Sequence, residues 1–465
     1  MNAHVASLLA VVFLPCFSLA QEERSWAGER IIPIRPSKEI QFSIVVEGTK
    51  ASLQLNNLAA FICREERGGY LRIHDGRREG WVPKSDFVKG TDAMQYFDRQ
   101  LSTDPGNFHA LFMRGIGWQE MKEHDKAIKD YSECLRIEPK NYAAMMNRAN
   151  AWTSKKDYDK AIRDYDEALK IAPKYALAYG NRGDVRMRMK QYDKALKDFD
   201  EAIRLSPQDA RAYVDRGRCQ RRRKEYDKAI ADFNKSIGID SKSAYTYLDR
   251  SDVWLEKSDF DKAIRDCNDA IRLDPKLAYA FVSRGRVWFA KKYYAKAEED
   301  FDQALHLAPT FTSTYLERGV NRAAMKRFDK ALDDFDRIVP PSNQVPYARI
   351  IGNLTARKAG NDEAAKRYLE DADRAANADW PAPVLRYLRG DLTEAQMLKT
   401  AKTNDEQTEA YAYLALDLLL KGKEKDALPH LRWVKTNGNR AYIEYQMAVQ
   451  QLEAIEPATA TPKKK

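Results

Sequence analysis

Along about half of the chain, small and apolar positions recur at a fixed interval of 34 residues. One track is alanine throughout: Ala127, Ala161, Ala195, Ala229, Ala263, Ala297 and Ala331. A second carries small residues: Gly115, Ala149, Gly183, Gly217, Ser251, Gly285 and Gly319. A third is mostly aromatic: Tyr131, Tyr165, Phe199, Phe233, Cys267, Phe301 and Phe335. Pro139, Pro173, Pro207, Pro275 and Pro309 close the units, with Ser241 in that place once. A fixed period of this length marks stacked structural repeats, none of which buries its own apolar face alone. The pattern predicts two antiparallel helices per unit, crossing closely where their side chains are small. The bulky track is expected to fill the space between neighbouring units, and proline to end each second helix.

These motifs resemble the tetratricopeptide repeat, in seven copies over 108–345. The resemblance implies a mainly α fold, an α-solenoid coiled as a right-handed superhelix of helical hairpins.

Two polar tracks are invariant. Arg114, Arg148, Arg182, Arg216, Arg250, Arg284 and Arg318 lie on first helices. Asp130, Asp164, Asp198, Asp232, Asp266, Asp300 and Asp334 follow 16 residues later on second helices. Matching tracks of opposite charge are read as ion pairs repeated along the stack. A lysine precedes each alanine of the first track, from Lys126 to Lys330, and is read as a solvated stripe. Trp118, Trp152, Trp254 and Trp288 are read as inter-helix packing, with Arg186, Gln220 and Arg322 in the equivalent places.

The resemblance puts first helices on a concave face. Asn147, Asn150, Asn181, Tyr245 and Tyr279 fall there, around the arginines Arg188, Arg211, Arg218, Arg221 and Arg222. Asparagines can bond the backbone of an extended peptide, and arginines can clamp carboxylates. The same arginines are equally readable as a solvated helix face. The carboxylate clamp of some family members is not reproduced: Asn147 fits one position, but Phe112 and Ile116 stand where that clamp has lysine and asparagine.

Between Gly28 and Gly90 the period changes to short alternating runs, among them Gln41 to Val46, Tyr70 to His74 and Trp81 to Val88, punctuated by glycine. Such runs predict short strands. The segments Gly69-Tyr70-Leu71-Arg72-Ile73-His74 and Glu79-Gly80-Trp81-Val82-Pro83 resemble the end of a bacterial SH3-like barrel. That resemblance implies a small all-β domain over 28–90, with Tyr70 and Trp81 as candidate contacts for wall peptides or protein partners.

The N-terminal run Val5 to Leu19 is apolar but short and broken by Pro15. With Ser18-Leu19-Ala20 it reads as a cleaved signal peptide over 1–20, giving an exported protein, periplasmic or secreted. The alternative is an uncleaved membrane anchor. Cys63, Cys134, Cys219 and Cys267 are too widely spaced for a disulfide framework.

Beyond the seven units, 346–374 reads as a divergent eighth, 380–455 as helical hairpins capping the stack, and 456–465 as a disordered tail. Lys+Arg of 79 against Asp+Glu of 69 gives +10 in 465 residues, a mild bias without a nucleic-acid module. No phosphate loop, metal-ligand motif or nucleophile elbow occurs. The chain is therefore expected to be no enzyme and to use no metal or cofactor. The expected role is a protein-interaction scaffold of the bacterial envelope that holds an extended, acidic peptide or protein. The alternative is a binder of wall peptides or anionic polymers, acting through the β module and the arginines.

Overall fold

A computed structural model describes residues 30–33, 41–46, 49–54, 61–74, 79–90, 92–372, 380–440 and 442–456. The signal segment 1–20 and the tail beyond residue 456 lie outside the described residues. By its internal contacts the chain forms two units, residues 1–219 and 220–465.

Unit 1 opens with the strands β1 (Arg30–Pro33), β2 (Gln41–Val46), β3 (Thr49–Gln54), β4 (Phe61–Ile62), β5 (Glu65–Arg67), β6 (Tyr70–His74), β7 (Glu79–Pro83) and β8 (Phe87–Lys89). They form two antiparallel sheets, ordered β3-β2-β7-β6-β5 and β4-β1-β8. This differs from the expected barrel. β1 pairs with β4 and β8, β3 and β5 remain sheet edges, and the described strands do not close on themselves. Leu71, Ile73 and Val82 are buried, while Ile32 and Val88 pack onto the first helices.

Helices follow without interruption. α1 (Ala93–Thr103) precedes the hairpins α2 (Phe108–Glu120) with α3 (His124–Ile137), α4 (Tyr142–Ser154) with α5 (Tyr158–Ile171), and α6 (Ala176–Arg188) with α7 (Tyr192–Leu205). α8 (Ala210–Arg222) contains the boundary between the units. Unit 2 continues with α9 (Tyr226–Ile239), α10 (Ala244–Glu256), α11 (Phe260–Leu273), α12 (Ala278–Ala290), α13 (Tyr294–Leu307), α14 (Thr312–Ala324) and α15 (Phe328–Asp336). α16 (Val345–Lys358) and α17 (Asp362–Ala372) make an eighth hairpin. α18 (Ala382–Arg389), α19 (Glu394–Thr400), α20 (Asn404–Leu420), α21 (Glu424–Asn437) and α22 (Ile443–Ile455) complete the chain.

Each hairpin turns on one left-handed residue. Lys122, Lys156, Lys190, Ser258, Lys292 and Lys326 all have φ near +60°, and Gly360 and Gly422 take the same role further on. The turn is closed by a backbone bond reaching back five residues, such as Glu123 N–H to the Trp118 carbonyl at 2.8 Å. That bond satisfies a carbonyl left over at the helix end. A left-handed lysine costs roughly 1–2 kcal/mol in backbone strain, so the packing of the two helices must hold it there.

The bulky track packs within its own hairpin, not between units as expected. A Cβ placed on Gly183 would stand 2.7 Å from the Phe199 ring, and the same relation links Gly285 to Phe301. At these positions glycine leaves room for one edge of the second-helix ring against the first-helix backbone. Where the small residue is Ser251, the partner shrinks to Cys267, with Oγ and Sγ 3.0 Å apart.

α1 is a half-repeat. Ala93, Phe97 and Pro105 stand 34 residues before Ala127, Tyr131 and Pro139, and Ala93 and Phe97 are buried. It takes the place of a second helix beneath the first full hairpin.

Candidate functional site

The Arg and Asp tracks form the frame on which any binding face is displayed. Six pairs lie wholly within one unit or the other, and all six are bidentate. In Arg114–Asp130 the Nε–Oδ2 distance is 2.8 Å and the Nη2–Oδ1 distance 2.7 Å. Arg148–Asp164, Arg182–Asp198, Arg250–Asp266, Arg284–Asp300 and Arg318–Asp334 repeat this geometry. Each arginine also reaches back to the preceding hairpin through Nη1, for example to Asp166 from Arg182 at 2.5 Å and to Asn268 from Arg284 at 2.7 Å. One side chain thus joins two helices of its own unit and one of the unit before.

At two of the tryptophan positions an arginine stands instead and supplies the aspartate with a further donor. Arg186 and Arg322, in the equivalent places, donate to Asp198 at 2.6 Å and Asp334 at 2.8 Å. Burial raises the Asp266 and Asp300 carboxyls against the pull of Arg250 and Arg284. The pairs therefore fix placement more than they add net stability. The lysine stripe is not simply solvated: Lys126, Lys160, Lys262 and Lys296 sit 4.2–4.7 Å from the centres of Trp118, Trp152, Trp254 and Trp288. These cation–π contacts cover the tryptophan rings.

In unit 1, the first-helix face carries Asn147, Asn150 and Asn181, all half-buried. Asn150 is engaged: its Oδ1 accepts from the Tyr165 hydroxyl at 2.5 Å and from Asn181 Nδ2 at 3.3 Å. Beside them the exposed Arg188 pairs with Asp184 at 2.8 Å, and Arg211 and Arg218 flank Asp215 at 3.4 and 3.9 Å. Burial pushes the Asp215 carboxyl up to about 6, against the pull of the two arginines. The expected basic patch is thus a mixed strip, three arginines around two aspartates.

Unit 2 holds the remaining candidates. Arg221 is turned into its own fold, bound to Asp252 at 2.7 Å and Glu256 at 2.6 Å. Arg222 is exposed, as is Tyr245. Tyr279 is half-buried against Arg286, whose guanidinium grips Glu317 through Nε at 2.8 and 2.9 Å.

The C-terminal helices do more than cap the last hairpin. α22 lies along the first helices of unit 2. Arg440, just before it, donates to the Glu256 carbonyl at the end of α10 at 3.3 Å, and Glu453 pairs with Lys292 at 2.7 Å. A cavity of about 430 Å3 remains between them, lined by Arg286 and Glu317 on the repeats and by Glu409 and Glu444 opposite. Both glutamates are buried. Glu409 accepts from the Trp380 indole at 2.6 Å and Glu444 from the Tyr413 hydroxyl at 2.6 Å. Burial, then the neighbouring Glu444, pushes the Glu409 carboxyl up to about 8. The sequence offers no periodic signal for this arrangement, because the 34-residue spacing does not run on through 380–455.

On the β module, Tyr70 is 49% exposed and Trp81 is half-buried between Arg72 and Ser43 in the sheet register. The four described cysteines are buried, and none forms a disulfide.

No curated protein matches the chain. Among solved structures it is similar to a tetratricopeptide repeat protein from Parabacteroides merdae, at 20% identity and a TM-score of 0.45 over 56% of this chain and 98% of that one. It is also similar to YrrB, a TPR protein with an unusual peptide-binding site, at 20% identity and a TM-score of 0.33 over 40% and 95%. A third is Pseudomonas aeruginosa pilF, at 18% identity and a TM-score of 0.38 over 47% and 97%. The tetratricopeptide repeat family matches residues 119–141, 142–175, 181–244 and 248–310. Within residues 119–310 the 34-residue hairpins match tetratricopeptide repeats.

Proposed function

We propose that the protein is a scaffold of the bacterial envelope that holds an extended acidic peptide or protein segment on the first-helix face of unit 1. The observation that carries this reading is the contrast between the two units. In unit 2 the first helices are overlaid by the chain's own α22. In unit 1 the strip of Asn147, Asn181, Arg188, Arg211 and Arg218 keeps three guanidiniums at the surface. Their present partners are short-range aspartates, which an incoming carboxylate can replace by bidentate contacts. Export rests on the apolar segment Val5 to Leu19. The face has no arrangement of nucleophile and base, and its chemistry suits holding a partner.

The test is affinity capture from the native envelope, comparing the chain with an Arg188→Glu/Arg211→Glu/Arg218→Glu variant that melts at the wild-type temperature. The reading expects a partner lost from the variant. Identical partners for both proteins would remove the strip from the account. The exposed Tyr70 ring favours a second reading, wall-peptide binding through the β module. Under it, Tyr70→Ala would abolish binding of purified wall fragments.

A further inference from the structure

A second cavity in unit 2, of about 370 Å3, differs in character from the first. Its walls are apolar side chains from six helices, including Phe289, Val320, Phe328, Leu354, Leu419 and Met447. An apolar cavity of about 150 Å3 holds a benzene molecule, so this one has room for a flexible alkyl chain. Five polar residues also border the cavity, Thr355, Lys358, Glu424, Gln450 and Gln451, and two of them bear on a ligand's head group. Lys358, at the end of α16, borders the cavity and has no carboxylate paired with it among the described residues. Gln450 on α22 contributes an amide Nε2 that is fully buried with no acceptor. Both groups are donors: Lys358 is exposed at the cavity mouth, and the buried Gln450 Nε2 is costly without a partner. Glu424 is the one acidic residue on the wall, and it is exposed.

We infer that this cavity binds a medium- or long-chain fatty acid, its alkyl chain among the leucines and its carboxylate at Lys358 and Gln450. Charge complementarity selects an anionic head over a neutral or cationic one. Lys326 adds a second positive charge near Lys358. A bound carboxylate would supply the counter-charge that the protein itself withholds.

The test is calorimetric titration of the full chain with monomeric dodecanoate, alongside dodecanol and dodecyltrimethylammonium. The expected result is saturable dodecanoate binding, weakened about tenfold or more by Lys358→Glu. Ala324→Trp, at the cavity wall, should abolish it while leaving the melting temperature unchanged. Three results would overturn the inference: no saturable binding by wild type, dodecanol or the cationic amphiphile bound as tightly as dodecanoate, or undiminished binding by a folded Ala324→Trp protein.

Discussion

Arg182 holds both carboxylate oxygens of Asp198, and Arg186 adds a third donor 2.6 Å from Oδ2. At the equivalent place in unit 2, Asp266 has one guanidinium, from Arg250, and the uncharged Trp254 stands where Arg186 does. Removing one partner of a buried pair leaves an uncompensated charge, at a cost of about 3–5 kcal/mol. Arg250→Ala should approach that range in chemical denaturation. Arg182→Ala should lose clearly less, because Arg186 still neutralises Asp198. Equal losses at the two sites would show that the second arginine is only a packing element.

Two glycines of α6, one turn apart, should respond with opposite signs. Gly183→Ala drives a methyl into the Phe199 ring and should cost about 1–3 kcal/mol. Gly180→Ala meets open space and should add roughly 0.5–1 kcal/mol through helix propensity. Phe199→Leu in the Gly183→Ala background should recover part of the loss. Urea midpoints of the four proteins decide the matter.

The raised Glu409 carboxyl ties the stability of unit 2 to pH. Its folded pKa of about 8 lies above the unfolded value of about 4.3, so the native state favours the proton. The contribution is complete below the unfolded value and is lost as pH rises through about 8. Unfolding free energy should fall between roughly pH 5 and pH 8. Glu409→Gln should flatten that fall and leave the variant the more stable protein at pH 8. A wild-type profile that rises over this interval would contradict the assignment.

The contacts of α22 predict a local effect. Arg440→Ala removes the bond to the Glu256 carbonyl at the end of α10. Amide exchange in 443–455 should then quicken while α2 to α7 stay unchanged. Unaltered exchange in α22 would mean that its apolar face, including Tyr445 and Leu452, holds it without Arg440.

The repeats were legible because every unit solves one packing problem with the same residue types. Gly183 and Phe199 can be paired from spacing alone, although their contact proved to lie within a hairpin and not between units. The half-repeat α1 carried the same signal in Ala93, Phe97 and Pro105, one period upstream of where the pattern was taken to begin. The face was harder to read. Spacing gathers Arg211, Arg218 and Arg221 on one helix, but it does not show that Asp215 sits between the first two or that Asp252 and Glu256 claim the third. The course of α22 depends on contacts between residues 184 positions apart, such as Arg440 with Glu256, which no local period encodes. The β module was read from two short motifs, and its strand pairing depends on β1, where alternation is weakest.

The central claim is that the first-helix face of unit 1 is the surface that receives a partner. Site-specific photo-crosslinking tests it most directly, with the reactive group placed at Asn147 on α4 and, as a control, at the exposed Lys197 on α7. The account predicts a discrete crosslinked partner from position 147 in an envelope extract, lost when Arg188, Arg211 and Arg218 are reversed to glutamate. A partner captured from position 197 and not from 147 would place binding on the second-helix side and contradict the account.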